Sequence, residues 1–284
     1  MVTVETPFRD FLAWWERAEA LPADEQRRLW DELYAGRHPA VFGNYLHWFG
    51  DMGTLDDALP RYAGAAGKLE RRFAALDLEA AGPAVADLFR VTEGFRVIAF
   101  VGVFTANAWM DELDGRPTVF FALEAEPETV WHPTAGVHEL AHAAHFTLAS
   151  AGWLDGVPGL AMMCEAIAIG ATLRLVPDAA GERHFGVDDH AAWERACRAG
   201  WEHARRELLG CFEAHDERAR RRFFWPDWGR DDHDVPERVG YYAAAHVIRA
   251  LTERHELAEI ARWSPEHALA EARGVLADPI AAGA

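Results

Sequence analysis

The stretch Gly136-Val137-His138-Glu139-Leu140-Ala141-His142-Ala143-Ala144-His145 decides how this chain is interpreted. It lies in an apolar segment that no proline interrupts from Thr134 to Val157, a composition that favours a helix. Residues four apart lie on one face of a helix, about one turn from each other. His138 and His142 are therefore expected to point their imidazoles at a common position, with Glu139 beside them.

Two imidazoles and an adjacent carboxylate form the His-Glu-x-x-His pattern of catalytic zinc sites. The imidazoles are ligands of Zn²⁺, and the carboxylate serves as a general base toward a water molecule at the open coordination position. The pattern predicts one zinc ion per chain, held by His138 and His142, with Glu139 as the catalytic base. The alternative is a helix that carries these histidines by coincidence, since the chain has 14 of them.

A third protein ligand is needed, and Glu165 is the candidate. It is the single charged residue in the apolar segment 159–170, and burial of a carboxylate there is unfavourable unless a cation accompanies it. A turn-like segment, 149–159, separates it from the histidines and allows two packed helices. His145 is about 10 Å along the helix axis from His138, too far to share an ion, and is interpreted as a packed or substrate-side histidine. The alternative for Glu165 is the solvated edge of its helix.

These residues resemble the gluzincin group of zinc metallopeptidases. His138-Glu139-x-x-His142 is followed 23 residues later by Glu165, on what the resemblance implies is the next helix. Ala166 stands where the group often has glycine, and the Asn-Glu-x-x-x-Asp pattern of the thermolysin type is missing. The chain is most similar to poorly characterised, predicted zinc-dependent proteases, which also have a Gly-Tyr-containing helix like Val239–Tyr242. The resemblance spans about residues 95–255.

The resemblance also implies how a substrate is bound. Tyr241 or Tyr242 is similar to the tyrosine that stabilises the oxyanion in several gluzincins, with His233 and His246 as alternatives. Gluzincins place an edge strand beside the zinc helix, and here the strand near Phe120–Glu124 is the candidate for binding an extended peptide. Asn107 and Glu124 are possible polar contacts, although ordinary turn or strand-edge positions are the favoured interpretation for both.

The fold class predicted is α+β and mostly helical. The segments 95–104 and 117–123 are rich in β-branched and aromatic residues, and Asp114-Gly115 between them indicates a hairpin or short loop. We expect a small mixed sheet packed on the zinc helix, followed by a helical C-terminal lobe, as in gluzincins. Helix breaks are predicted near 36–39, 50–53 and 82–83, a long helix over 188–222, and helices near 237–254 and 265–277.

The 284 residues are predicted to form a single catalytic unit of three parts. Residues 1–90 are expected to be a helical N-terminal part, and 91–150 a small sheet with the zinc helix. Residues 151–284 are expected to be a helical lobe that carries the third zinc ligand and the candidate oxyanion tyrosine.

Charge and composition limit the partners. The formal net charge of −18 disfavours nucleic acid and anionic membrane surfaces, which need a basic footprint. The apolar segments 97–110 and 159–173 are expected to fall below a membrane span, and the N-terminus does not resemble a signal peptide. The three cysteines are too widely spaced for a disulfide framework. A cytoplasmic protein is predicted, with a peptide or protein as substrate and its oligomeric state left open.

The predicted function is therefore hydrolysis of peptide bonds by a zinc metallopeptidase. Two alternatives remain open at the level of sequence. One is a non-catalytic binding protein that the metal merely stabilises, although structural zinc sites usually fill all four positions with protein ligands, mostly cysteines. The other is a zinc hydrolase acting on a substrate that is not a peptide.

Overall fold

The structure, a computed structural model, describes residues 2–50, 53–153, 156–215, 217–225 and 234–277. About 64% of the chain is helical, and the strands within the described ranges form one mixed four-stranded sheet. The predicted α+β class is confirmed. The packing of the sheet on the zinc helix, specific to gluzincins, stays a prediction.

The described part of the chain contains four strands and a larger number of helices. The strands are β1 (Val2–Glu5), β2 (Phe95–Phe100), β3 (Ala108–Leu113) and β4 (Arg116–Ala122). The helices before the zinc motif are α1 (Phe8–Ala18), α2 (Ala23–Leu33), α3 (Pro39–Phe49), α4 (Leu55–Ala66), α5 (Leu69–Ala75) and α6 (Leu78–Phe89). Those from the motif onward are α7 (Pro133–Leu148), α8 (Pro158–Leu175), α9 (Gly181–Phe185), α10 (His190–Gly210), α11 (Glu217–Phe224), α12 (Val239–Thr252), α13 (Leu257–Ile260) and α14 (Pro265–Ala277).

The sheet has the strand order β1-β2-β4-β3. β1 pairs parallel with β2, and β2 pairs parallel with β4, with Val97 opposite Val119. β3 pairs antiparallel with β4, with Leu113 opposite Arg116. Asp114 and Gly115 both have positive φ, as a two-residue hairpin turn requires, and they join β3 to β4.

Two expectations about the sheet were wrong. The predicted strands 95–104 and 117–123 are neighbours, but they run parallel, and the hairpin turn belongs to the intervening strand β3. The strand near Phe120–Glu124 is also not an edge strand, because β4 lies between β2 and β3. The run from Thr118 to Leu123 is buried at every position, as expected of a strand that is covered on both faces.

Aromatic side chains fill the core around the sheet. Val41 and Tyr45 of α3 pack on Ile98, Phe100 and Phe120. A second aromatic group joins the helices that precede the sheet, with ring centroids 4.8–6.1 Å apart; it consists of Phe11, Trp14, Trp30, Tyr34 and Tyr62. The large tryptophan and phenylalanine content of the sequence is thus used for packing.

The predicted helix ends were only partly right. α2 ends at Leu33 before α3 begins at Pro39, and α3 ends at Phe49 before α4 begins at Leu55, as expected, but Gly82-Pro83 lies inside α6. A proline within a helix removes one backbone hydrogen bond, and packing of the remaining turns on the protein compensates for it here. The helix predicted over 188–222 is two helices, α10 and α11, whereas those near 237–254 and 265–277 agree with α12 and α14.

The chain divides into two compact units. The first contains residues 1–84 and 92–143, and the second contains residues 85–91 and 144–284. Two of the three boundaries fall inside helices, at 84/85 in α6 and at 143/144 in α7, and the third, at 91/92, lies between α6 and β2. That residues 1–284 act as a single catalytic unit stays a prediction.

Helix α8 corrects one expectation about membranes. It has 18 residues and meets the length and apolarity of a membrane span, which we did not expect of the segment 159–173. However, 67% of this window is buried inside the protein, as in the core helix of a soluble protein. The structure is therefore compatible with a soluble protein.

Candidate metal centre

Helix α7 separates an apolar face from a polar one at the motif. Val137, Leu140, Ala141 and Ala144 are buried, at the spacing of one helical face. His138, Glu139 and His142 are each half-buried. The aliphatic side of the helix is thus buried, whereas the side that carries the two imidazoles and the carboxylate is partly accessible to solvent.

A glycine positions the beginning of this helix. A Cβ atom on Gly136 would lie 2.3 Å from the carbonyl oxygen of Leu76, between α5 and α6, so the backbones approach each other at this point more closely than any side chain allows. This contact fixes α7 two residues before the first histidine of the motif.

The two histidines meet as the helical spacing predicts. Their Nε2 atoms lie 3.2 Å apart, and their ring planes are nearly perpendicular, at 81°. Two ligands of a tetrahedral zinc ion with bonds of about 2.1 Å are about 3.4 Å apart. The imidazoles are thus already at the separation that one zinc ion requires.

Helix α8 brings the third predicted ligand to the same place. It begins at Pro158, in a position that suits proline, and most of its residues are buried. Ala161, Cys164 and Glu165 are half-buried and lie on one side of the helix. One ligand atom from each of His138, His142 and Glu165 lies within 4.8 Å of the other two, so these residues form a group able to hold a metal ion.

Cys164 precedes Glu165 in the sequence but is not a member of this group. Removal of its thiol from water raises its pKa, and the negative charge of Glu165 raises this pKa further. Its sulfur is not among the ligand atoms that come together in the group of His138, His142 and Glu165.

His145 lies away from the polar face of α7. It is fully buried, and its ring packs edge-on against Trp153, with ring centroids 4.3 Å apart. Of the two interpretations made from the sequence, this environment favours the packed histidine.

The candidates for oxyanion stabilisation are on α12, which packs against α8. Tyr241 is half-buried, with the Arg238 guanidinium 4.3 Å from its ring centre. Tyr242 is also half-buried and packs between Trp193 and Trp201, at 6.0 and 5.4 Å. Tyr242 therefore has the surroundings of a packing residue, and the role of each tyrosine stays a prediction.

The two histidine alternatives differ. His246 packs near Trp201, and burial, followed by the nearby charge of Arg249, lowers its pKa. It is therefore neutral at pH 7 and would act as a neutral hydrogen-bond donor. His233 lies outside the described residues.

Asn107 and Glu124 differ in their exposure to solvent: Asn107 is exposed, and Glu124 is buried. The carbonyl of Asn107 accepts a hydrogen bond from Ala122, and its side chain accepts one from Ala108, which is turn duty as expected. Glu124 is completely buried instead of lying at a strand edge. The signal for its burial was its position directly after an unbroken apolar run, 119–123.

Comparisons with known proteins add no family to this description. No family model matches the chain, and neither the curated proteins nor the solved structures provided a match.

Proposed function

We propose that this protein is a zinc metallopeptidase in which His138, His142 and Glu165 hold the metal ion. The observation that carries the proposal is the pair of Nε2 atoms 3.2 Å apart with a carboxylate oxygen within 4.8 Å. Two neutral imidazoles and one carboxylate are donors that Zn²⁺ prefers, and three protein ligands are the number found at catalytic rather than structural sites.

The ion, when bound, supplies positive charge that polarises a carbonyl group and makes a nearby water more acidic. Glu139 precedes the buried Leu140 and lies with the histidines on the partly accessible side of α7. We assign it the role of taking a proton from the attacking water and delivering it to the leaving amine. Tyr241 is our candidate donor to the oxyanion, and Tyr242 is the second choice.

The choice of a peptide as substrate rests on the resemblance of His138-Glu139-x-x-His142 and Glu165 to gluzincins. A cytoplasmic location is part of the same proposal. All three cysteines are free thiols, Cys164, Cys197 and Cys211, as is usual for proteins of a reducing compartment.

A mixed peptide library, analysed by mass spectrometry, tests this function. We expect cleavage by the zinc-loaded protein, loss of cleavage with a chelator, and recovery when zinc is restored. Stoichiometric zinc without cleavage of any peptide would contradict the proposal and would indicate a structural site or a substrate of another class.

A further inference from the structure

A second acidic residue, distant in sequence from the zinc motif, has an unusual environment. Glu124 follows β4 and is completely buried. Its Oε1 accepts a hydrogen bond from the backbone N–H of Phe104, at 3.1 Å. Its Oε2 is buried and has no hydrogen-bond partner among the residues that the structure describes. A buried carboxyl with one unsatisfied oxygen destabilises the folded protein, and such groups are rare in native structures.

The segment that Glu124 holds is the β2–β3 loop, residues 101–107. Three buried tyrosines, Tyr34, Tyr45 and Tyr62, bond its backbone through their hydroxyl groups. The bonds are Tyr34 to the N–H and carbonyl of Val101 (2.7 and 2.8 Å), Tyr45 to the N–H of Val103 (2.9 Å) and Tyr62 to the carbonyl of Gly102 (2.7 Å). Side chains thus hold the loop from Val101 to Val103, whereas at its other end the carbonyl of Asn107 bonds the backbone of Ala122 in β4.

The loop is also strained at its centre. Phe104 has a φ of +63°, a left-handed conformation that bulky residues rarely adopt. Its ring is held between the Arg61 guanidinium, 3.7 Å from the ring centre, and the stacked ring of Tyr62. A loop in this conformation will relax if the contacts that hold it are weakened.

The charge of Glu124 is poorly accommodated. Burial raises its pKa from 4.5 to about 7, although the backbone amides of Gly102 and Phe104 lower it in part. The titratable groups that face it are Tyr34, Tyr45, Tyr62 and Arg72. The phenols carry no positive charge, and the Arg72 guanidinium is bonded to the carbonyl of Leu123 and to Glu128.

We propose that Glu124 is a proton sensor that keeps the β2–β3 loop closed while its carboxyl is neutral and opens the loop when it ionises. An ionised carboxylate needs a cation or water, and the nearby Arg72 guanidinium is already bonded to Glu128 and to the carbonyl of Leu123. Loop residues 103–106 are half-exposed, whereas the strand residues on either side of Glu124 in β2 and β4 are buried. Opening of the loop is therefore the shortest way to hydrate the charge.

The direction of the pH dependence follows from the two pKa values. In the open state Glu124 titrates near its ordinary value of 4.5, and in the closed state near 7. The open state thus binds fewer protons between these pH values. The equilibrium constant for opening therefore increases by up to about tenfold per pH unit between pH 4.5 and 7. Above pH 7 it becomes constant.

Hydrogen–deuterium exchange of peptides covering the loop tests the proposal. After correction for the intrinsic pH dependence of exchange, we expect protection in the wild type to fall at least tenfold from pH 5 to pH 7.5. Glu124→Gln keeps an oxygen for the Phe104 amide but cannot ionise, so its loop should remain equally protected at both pH values.

Glu126→Gln is the matched control, because Glu126 is exposed and lies 3.8 Å from the Lys68 ammonium. It should behave as the wild type. If Glu124→Gln does not fold, carboxyl ¹³C NMR of the wild type provides a second test, with one glutamate expected to titrate near pH 7. Protection that is independent of pH in the wild type, the same pH dependence in Glu124→Gln, or no glutamate titrating near pH 7 would each overturn the proposal.

Discussion

Glu124 and Glu165 are both acidic residues in apolar segments, but their environments differ in kind. Glu124 is completely buried among phenols and backbone amides, with Arg72 as the charged group that faces it, and burial raises its pKa to about 7. Glu165 is half-buried, with two imidazoles within 4.8 Å. The difference shows that an acid in an apolar segment is not by itself a ligand. What distinguishes a candidate ligand is the presence of other donor atoms directed at the same point.

The largest effect should be the loss of peptide hydrolysis when Glu139 is replaced. Glu139→Gln removes the general base but no metal ligand, so we expect peptide hydrolysis to fall by about a thousandfold or more while zinc content stays unchanged. Glu124→Gln, measured at pH 6 where Glu124 is largely neutral, should keep activity within about twofold. Rates of cleavage of a library-derived peptide measure both. An active Glu139→Gln would end its assignment as the base.

The next largest effect concerns metal affinity, and it separates the two acids directly. Glu165→Gln should weaken zinc binding by more than about 100-fold, because it removes the charged ligand and leaves only two imidazoles. Glu124→Gln should leave the affinity unchanged. Competition with a chromophoric chelator gives both values. Equal affinities in the two variants would show that Glu165 is not a ligand.

The smallest effect is on the free energy of unfolding. Here the substitution of Glu124 has the effect, whereas zinc affinity depends on Glu165. Because the folded state holds the proton of Glu124 more tightly, this residue stabilises the protein at pH 5, and the contribution is lost as the pH rises toward 7. Relative to the wild type, Glu124→Gln should therefore gain about 2 kcal/mol of unfolding free energy between pH 5 and pH 7.5. Urea unfolding at both pH values measures this, with Glu126→Gln as the unaffected control. No change relative to the wild type would mean that Glu124 is already ionised at pH 5.

The geometry of the two histidines could be predicted because it depends on local structure. A spacing of four residues in a helix brings His138 and His142 together whatever the rest of the fold. The same holds for the turn at Asp114-Gly115, which needs two residues of positive φ. Glu165 was a weaker prediction, since it required two helices to pack. The structure does bring its carboxylate near the two histidines, and its role as a metal ligand stays a prediction.

Properties that depend on distant residues were not predictable in this way. β4 is a central strand because it pairs with β2 on one side and with β3 on the other. The sequence of β3, residues 108–113, mixes apolar and acidic residues without strict alternation, so it does not predict a strand clearly. The environment of Glu124 depends on Tyr34, Tyr45 and Tyr62, which are 62–90 residues earlier in the chain. The continuation of α6 through Pro83 likewise depends on packing.

The most direct test of the account is X-ray absorption at the zinc edge, together with zinc content, for the wild type and His142→Ala. We predict one zinc ion per chain with two imidazole nitrogens and a carboxylate oxygen in the wild type, and the loss of one imidazole or of the ion in the variant. Absence of zinc from the wild type, or an identical spectrum for His142→Ala, would contradict the assignment of this centre.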